Sequence, residues 1–234
     1  MENKENPLNE KFFDKIFFEG TPKEYNFIYN KLGYRDRRVL YNLLKFGAEG
    51  KNCLDIGPGT GRWVQFLKEQ KANYIEVVDL SSESLSKCRE FSDHIQKANV
   101  EFDKIESPDN FFEVILCFMV LEHLIEPDNL LEEIYRVAKQ NSLILFTIPN
   151  ITSFISRIRM LLGYLPLAVS SDITHIKFYT ERELKKLFSN FKMKVEVIPT
   201  SFSINPINSK TLRIPSNKVT KSLDDHLLFR VYKV

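Results

Sequence analysis

The sequence contains no run of about 20 apolar residues, so no segment reads as a membrane-spanning helix. It carries little net charge: 33 Lys and Arg against 31 Asp and Glu leave +2 over 234 residues, which gives no strong steering toward nucleic acid. Its three cysteines, Cys53, Cys88 and Cys117, are too widely spaced for a metal or redox pairing. Cys53 and Cys117 stand in apolar runs and read as core residues. Internal repeats and long low-complexity segments are absent. The opening MENKENPLNEK is polar and acidic, unlike a signal peptide, so a reducing cytoplasm is the expected compartment. A chain of this length suits one domain over residues 1–234, burying roughly 70–75% of its unfolded surface.

What is present is organised around Cys53 to Trp63, CLDIGPGTGRW. A short apolar run holding Asp55 leads into Gly57, Gly59 and Gly61, and a helical pattern (Val64, Leu67) follows. This is strand, glycine turn, helix. Glycine opens backbone conformations closed to other residues and lets a ligand approach the main chain. The helix start beyond it favours an anionic ligand group. A second strand-like run, Tyr74 to Val78, ends in Asp79. An acid at the tip of the second strand suits the ribose hydroxyls of a nucleoside; capping of the next helix is the alternative use. The spacing is G-x-G-x-G, with Arg62 where a dinucleotide fingerprint has its third glycine. That argues against an oxidoreductase using a dinucleotide. A phosphate-binding Gly-Lys-Ser/Thr is also missing.

The D-x-G-x-G-x-G pattern of Asp55, Gly57, Gly59 and Gly61 resembles motif I of the class I S-adenosylmethionine (SAM)-dependent methyltransferases. The resemblance continues through Asp79, through FFEVILCFMVLEHL (Phe111 to Leu124) and through LLEEIYRVAKQNSLILFTIPN (Leu130 to Asn150). These segments are similar to the small-molecule group called type 11 or type 23, which includes the quinone-biosynthesis O-methyltransferases. The match covers Asn52 to Asn150 and extends weakly over Thr174 to Phe188. It implies an α/β, Rossmann-like seven-stranded sheet in the order 3-2-1-4-5-7-6. The sheet would be mostly parallel with the last strand antiparallel, and helices would cover both faces. It implies SAM as cofactor and S-adenosylhomocysteine as product. Asp55, Gly57, Gly59 and Gly61 would hold the methionine end, Asp79 with Leu80 the ribose, and Asn99 and Val100 the adenine, with Asp103 the rival for that contact. Phe118 and Met119 would line the adenosine or methyl-transfer site.

Around this core (51–150), residues 1–50 read as a helical cap, 151–190 as a lid and helix, and 191–234 as the last two strands. In the cap, Leu8, Phe12, Phe13, Ile16 and Phe17 share a helical face, Thr21 to Glu24 is a capping box, and a helix over 35–46 turns Val39, Leu40, Leu43 and Leu44 inward before Gly47. Tyr25, Tyr29, Tyr34 and Arg38 are its candidates for contact with ligand. Beyond Asn150, Phe154, Ile155, Ile158, Leu161 and Leu162 make an amphipathic helix, read as a lid, with a lipid-touching surface as the alternative. Thr180 to Glu183 is another capping box, opening a helix with Leu184, Leu187, Phe188 and Phe191 inward. Met193 to Ile198 and His226 to Tyr232 read as strands. The run 199–225 between them reads as a surface excursion whose Lys210, Arg213, Lys218 and Lys221 are solvated.

Methyl transfer from a sulfonium chiefly needs alignment and exclusion of water, and a hydroxyl acceptor benefits from a general base. Histidine suits that role at neutral pH. His123 and His175 are the catalytic candidates, while His94 and His226 begin strands and read as structural. Some quinone O-methyltransferases hold a divalent ion with Glu-x-x-Glu-His. Here Glu122 and His123 are present but Met119 takes the first Glu position, so no metal is expected. Base-amino methyltransferases usually carry a polar-Pro-Pro-aromatic motif after the fourth strand, where this chain has Cys117 to Val120, and the Pro-Cys nucleophile of pyrimidine-C5 enzymes is also missing. The expected partner is therefore a small-molecule acceptor, most simply a hydroxyl on a sugar, quinone or polyketide-like compound, and not nucleic acid. The expected state is a monomer or homodimer. A SAM-binding partner protein without catalysis is the other class of function.

Overall fold

The computed structural model describes residues 33–170, 174–204 and 212–234. The helices and capping box expected before Gly33, with Tyr25 and Tyr29, lie outside these residues, as do the Tyr34 side chain and Lys210. Helix α1 spans Tyr34–Phe46 and ends at Gly47. Then β1 (Asn52–Ile56), α2 (Arg62–Glu69), β2 (Tyr74–Asp79), α3 (Ser82–Cys88), β3 (His94–Lys97) and β4 (Phe112–Phe118) alternate. A 3-10 turn, Leu121–His123, leads to α4 (Asp128–Val137) and β5 (Ala138–Pro149). Next come α5 (Phe154–Leu161), α6 (Leu167–Ser170), α7 (Glu181–Asn190), β6 (Met193–Ile198), β7 (Ser201–Ile204), β8 (Leu212–Pro215) and β9 (His226–Lys233).

Seven strands form one sheet in the order β3-β2-β1-β4-β5-β9-β6. The pairs from β3 to β5 are parallel, and β9 runs antiparallel to both β5 and β6. This is the expected order, with the final strand inserted between the fifth and sixth. Strand residues alternate between two cores, as a period of two requires. On one face Leu54, Ile115, Cys117, Ile144 and Phe146 meet α4 and α7 through Leu130, Ile134, Leu184 and Phe188. On the other, Cys53, Val114, Leu116, Leu143 and Leu145 meet α1, α2 and α3 through Val39, Leu43, Val64, Leu67 and Leu85. Both faces being covered explains why β4 is nearly continuous in apolar residues. The three cysteines are free and buried, and burial pushes the Cys53 thiol up to about 12 and the Cys88 thiol to about 11.

Helix α7 begins as its sequence dictates. Thr180 Oγ1 accepts from the Glu183 N–H at 3.2 Å, and Glu183 Oε2 accepts from the Thr180 N–H at 2.8 Å. Its Phe188 stands edge-on to Phe146 and Phe229 at 5.0 and 5.4 Å, and those two rings stack at 5.3 Å. Three aromatic rings thereby lock α7 to the β5–β9 seam.

Two expectations are corrected. Strand β5 begins at Ala138 rather than Ser142, because Asn141, with φ of 63°, and a register shift opposite Phe112 and Val114 let four more residues join the ladder. Within the run 199–225, the described residues 199–204 and 212–225 are more ordered than a surface excursion, although Arg213 and Lys218 are exposed as expected. Strands β7 and β8 pair as a hairpin, and buried Asp224 accepts from the Thr200 N–H at 2.7 Å and from Ser216 Oγ at 2.8 Å. Asn150, at the tip of β5, donates its side-chain amide to the Ser222 and Asp224 carbonyls at 3.1 and 2.8 Å. Lys221 pairs with Glu181 at 3.2 Å, and a Cβ at Gly33 would lie 3.3 Å from an Arg213 guanidinium nitrogen.

Replacing Phe188 with Ala empties the centre of the ring cluster and is expected to cost about 3–5 kcal/mol of unfolding free energy. Urea unfolding measures it. A loss below about 1 kcal/mol would show that α7 is not anchored through this ring.

Candidate active site

The three glycines after β1 serve three different needs. Gly57 has φ of 70°, donates its N–H to the Val78 carbonyl at 2.9 Å, and would place a Cβ 2.5 Å from Val120 Cγ2. It closes the gap between the ends of β1 and β4. Gly61 has φ of 76°, and its Cβ would sit 3.1 Å from Cys88 Sγ and 3.2 Å from the Lys87 carbonyl. Its N–H donates to the Pro58 carbonyl at 2.9 Å. Gly61 was expected to touch ligand; it lines neither cleft described below and instead lets α2 start against the end of α3. Gly59, with φ of 55°, has no heavy atom within 4 Å of where its Cβ would be. That open space is the cleft.

Two adjoining clefts of about 320 and 470 Å³ share Gly57, Gly59 and Met119. The first is walled by Asp55, Thr60, Trp63, Phe118 and Thr147, with Arg35, Asp36 and Arg62 at its rim. The second is walled by Asp79, Leu80, Ser84, Asn99, Val100, Val120, His123 and Leu124. Of the sequence-predicted residues, Asp55 and Phe118 thus face the first cleft and Asp79, Leu80, Asn99, Val100 and His123 the second. Met119, with φ of 58° and its N–H bonded to the Thr147 carbonyl at 2.8 Å, sits where they meet.

Asp55 is 1% exposed, and its Oδ2 has no hydrogen-bond partner among the described residues. Burial, with Asp79 nearby, pushes its carboxyl up to about 7. A buried acid with an unused oxygen facing a cleft is prepared for a cationic or hydrogen-bonding ligand group. At the rim, Asp36 is shared by Arg35 and Arg62, each at 3.0 Å, and Arg62 lies over the Trp63 ring at 5.0 Å. Two guanidinium groups on one carboxylate leave an excess of positive charge for an anionic ligand group.

In the second cleft Asp79 accepts from the Ser81 N–H at 2.8 Å and from Ser84 Oγ at 2.7 Å. It therefore braces the start of α3 and faces the cleft together, and each carboxylate oxygen keeps a further lone pair. Asn99 accepts from the Glu101 N–H at 3.1 Å through Oδ1. Its rival Asp103 accepts from the Asn99 N–H at 2.8 Å and lines neither cleft.

His123 lies at the mouth. Its Nδ1 is 3.1 Å from the Thr174 carbonyl, and His175 Nδ1 is 2.8 Å from the Ala168 carbonyl. A carbonyl only accepts, so a tautomer with the proton on Nδ1 suits both rings, and Thr174 Oγ1 also lies 3.2 Å from His123 Nδ1. The rings are 5.0 Å apart. The segment bearing His175 is held by the Glu122 carbonyl, which accepts from the Ile176 and Lys177 N–H groups at 2.9 and 3.0 Å. Glu122, His123 and His175 each bring a potential ligand atom within 4.8 Å of the others. Of the two histidines read as structural, His94 pairs with Glu106 at 2.9 Å. His226 opens β9 beside Pro149; burial, with Arg35, Arg213 and His175 nearby, pushes it down to about 4 and keeps it neutral at pH 7.

Sequence reasoning missed Arg35, Asp36, Trp63, Thr147 and Ser84. Arg35 and Asp36 share a helical face with Val39, and that spacing was the available signal. Arg38, which the sequence suggested, lines neither cleft.

Residues 31–196 match the family described as "Methyltransferase domain". The ubiquinone biosynthesis O-methyltransferase of Neisseria meningitidis serogroup A is 23% identical over 107 residues, covering 43% of this chain and 45% of that protein. The match thus spans less than half of this relative. A SAM-dependent methyltransferase of Thermotoga maritima, described as a possible histamine N-methyltransferase, superposes with a TM-score of 0.60 at 17% identity, covering 95% of this chain and 99% of that one. A SAM-dependent methyltransferase of Archaeoglobus fulgidus gives 0.60 at 20% identity, covering 91% and 100%. These structures share the fold.

The raised Asp55 carboxyl predicts a pH dependence. Below about 7 the ligand-free protein holds the proton there. An ammonium group seated against Asp55 favours the carboxylate and expels it, so affinity rises with pH up to about 7 and then levels. Calorimetric titration with S-adenosylhomocysteine should show affinity falling by up to about tenfold per pH unit below 7. Asp55→Asn should flatten that slope; an unchanged slope in the variant would place the proton on another group.

Proposed function

We propose a hydroxyl-bearing small molecule as the methyl acceptor of this chain, which belongs to the methyltransferase-domain family and takes S-adenosylmethionine as its cofactor. When bound, the cofactor supplies an electrophilic methyl group on a sulfonium centre. The residues fit it: the open space over Gly59, the unused buried oxygen of Asp55 and the acid at the tip of β2 offer the contacts that an amino acid joined to a nucleoside needs. In this reading Asp55 receives the ammonium, while Arg35 and Arg62 receive the carboxylate. Asp79 accepts from the ribose diol. Asn99 and the Val100 main chain meet the adenine, with Leu80, Val120 and Leu124 against its faces. Phe118 and Met119 keep water from the junction of the two clefts.

The observation that carries the acceptor assignment is the His123–His175 pair at the mouth of the cleft. With Nδ1 committed to the Thr174 carbonyl, His123 directs Nε2 to take the proton from an acceptor hydroxyl. His175 holds the lid segment through Ala168 and stands beside His123, where it stabilises the imidazolium's surroundings or relays the proton outward. The hydroxyl chemistry in the name of the Neisseria relative supports the same direction. The charge balance and the apolar walls support a small molecule over nucleic acid. No metal is assigned to Glu122, His123 and His175, because the histidines already serve the proton.

The test is methyl transfer from labelled SAM to catechol, hydroquinone and sugar acceptors, with product identified by mass spectrometry. His123→Ala should lower kcat by roughly 10²–10⁴-fold and leave S-adenosylhomocysteine affinity nearly unchanged. Turnover should survive dialysis against a chelator. Methylation of amine acceptors alone would sink the hydroxyl assignment, and loss of turnover restored by a divalent cation would make the three-residue cluster a metal centre.

The ribose assignment has its own check. Asp79→Ala should weaken S-adenosylhomocysteine binding by roughly 1.5–3 kcal/mol. Ser84→Ala, which removes only the brace to α3, should bind nearly as the parent does. Equal losses in both would make Asp79 a support for the helix rather than a ribose contact.

A further inference from the structure

Helix α5 packs Phe154 against the Phe202 ring at 5.5 Å, but its end and the turn after it leave their apolar side chains outside. Its polar positions Ser153 and Ser156 are 3% and 1% exposed and bond each other through their hydroxyls at 2.8 Å. The apolar residues Ile158, Leu161 and Leu162 at the end of the helix, and Leu165 in the turn beyond Gly163, are exposed instead. Leu161 is 85% exposed, Leu162 68%, and Tyr164 and Leu165 each 62%. In α7 the same kind of stripe is buried, with Leu184 and Phe188 fully covered. Here exposed apolar residues run together along the chain, which marks a surface made for contact.

The chemistry of the contact is set by charge. From Ile151 to Ser171 the chain holds two arginines and no acid. Arg157 bonds the Thr152 carbonyl and Arg159 the Leu165 carbonyl, both at 2.8 Å, and neither has a carboxylate partner among the described residues. Carbonyls orient these guanidinium groups without neutralising them. Arg159 also fixes the turn that presents Leu161 to Leu165: the Tyr164 N–H donates to its carbonyl at 2.8 Å, and its guanidinium lies 5.7 Å from the Tyr164 ring. Leucines beside cations and a tyrosine, with no acid, are the composition of a surface that lies in a lipid–water interface of negative charge.

We propose that the Ile158–Leu165 face docks on an anionic lipid surface. Docking brings the mouth of the cleft to the membrane, because α6 follows this face directly and its Ala168 carbonyl accepts from His175. It stands independently of the acceptor assignment, since vesicle binding and methyl transfer are read separately.

The experiment is co-sedimentation of the full chain with vesicles of phosphatidylcholine, with and without phosphatidylglycerol. Binding is expected only to the vesicles containing phosphatidylglycerol, weakening as salt is raised. The double variant Leu161→Glu, Leu162→Glu should bind at least about tenfold more weakly while keeping its unfolding midpoint and S-adenosylhomocysteine affinity. Arg157→Gln with Arg159→Gln should remove the preference for phosphatidylglycerol. Absence of binding to either vesicle overturns the proposal. So does light scattering that finds a dimer dispersed by the double variant, which would assign the face to a second copy of the chain.

Discussion

Backbone hydrogen bonds between β1 and its two parallel neighbours bring the carboxyl ends of three strands to one edge. Asp55 pairs with Val77 on one side and Leu116 on the other, so the acid, the glycine turn, Asp79 and the Phe118–Met119 turn arrive together although 64 positions of sequence separate Asp55 from Met119. Everything chemical in the molecule depends on this register. A shift of one residue would turn Asp55 into a core face and leave Gly57 unable to pass Val120.

The electrostatics of that edge have a clear sense. Its floor holds two carboxylates near enough for one to raise the other's pKa, and its rim holds two guanidinium groups sharing one acid. Negative below and positive above is the distribution that favours a zwitterion over a simple anion. Burial without a partner costs the charged form of Asp55 dearly, so ligand binding and deprotonation are coupled at this position. The proposed proton acceptor, His123, lines the second cleft with Asp79 and takes its orientation from Thr174.

Much of this was legible in the sequence. The apolar runs and glycines gave the parallel core, Thr180 and Glu183 gave the start of α7, and the G-x-G-x-G spacing excluded the dinucleotide arrangement. What escaped was long-range. Arg35 and Asp36 share a face with Val39, but that this face packs on the sheet beside the cleft, with Cys53 and Leu228, is a long-range fact that the spacing alone does not give. The use of Gly61 against Cys88 became visible only when α3 took its place. The meeting of His123 and His175 required the Glu122 carbonyl to capture Ile176 and Lys177. Residues 199–225 carry the Ser, Asn, Pro and Lys of a surface loop, yet buried Asp224 ties Thr200 to Ser216 through bonds that composition does not reveal. Helix α5 kept its expected amphipathic pattern, and because periodicity defines a stripe and not its partner, what its exposed leucines meet was not legible.

The placement of β9 has a consequence for how the chain assembles during synthesis. Strand β6 has one neighbour in the sheet, β9, to which it is joined from Met193–Lys233 through Ile198–Leu228. The ribosome makes β6 before β9, so β6 has no ladder to join until residues 226–233 emerge. Until then the outer edge of β5, with Ile144, Phe146 and Ile148, stands open to any extended chain that passes. The nascent protein therefore passes through an interval in which the parallel half of the sheet can already form while its last seam is unclosed.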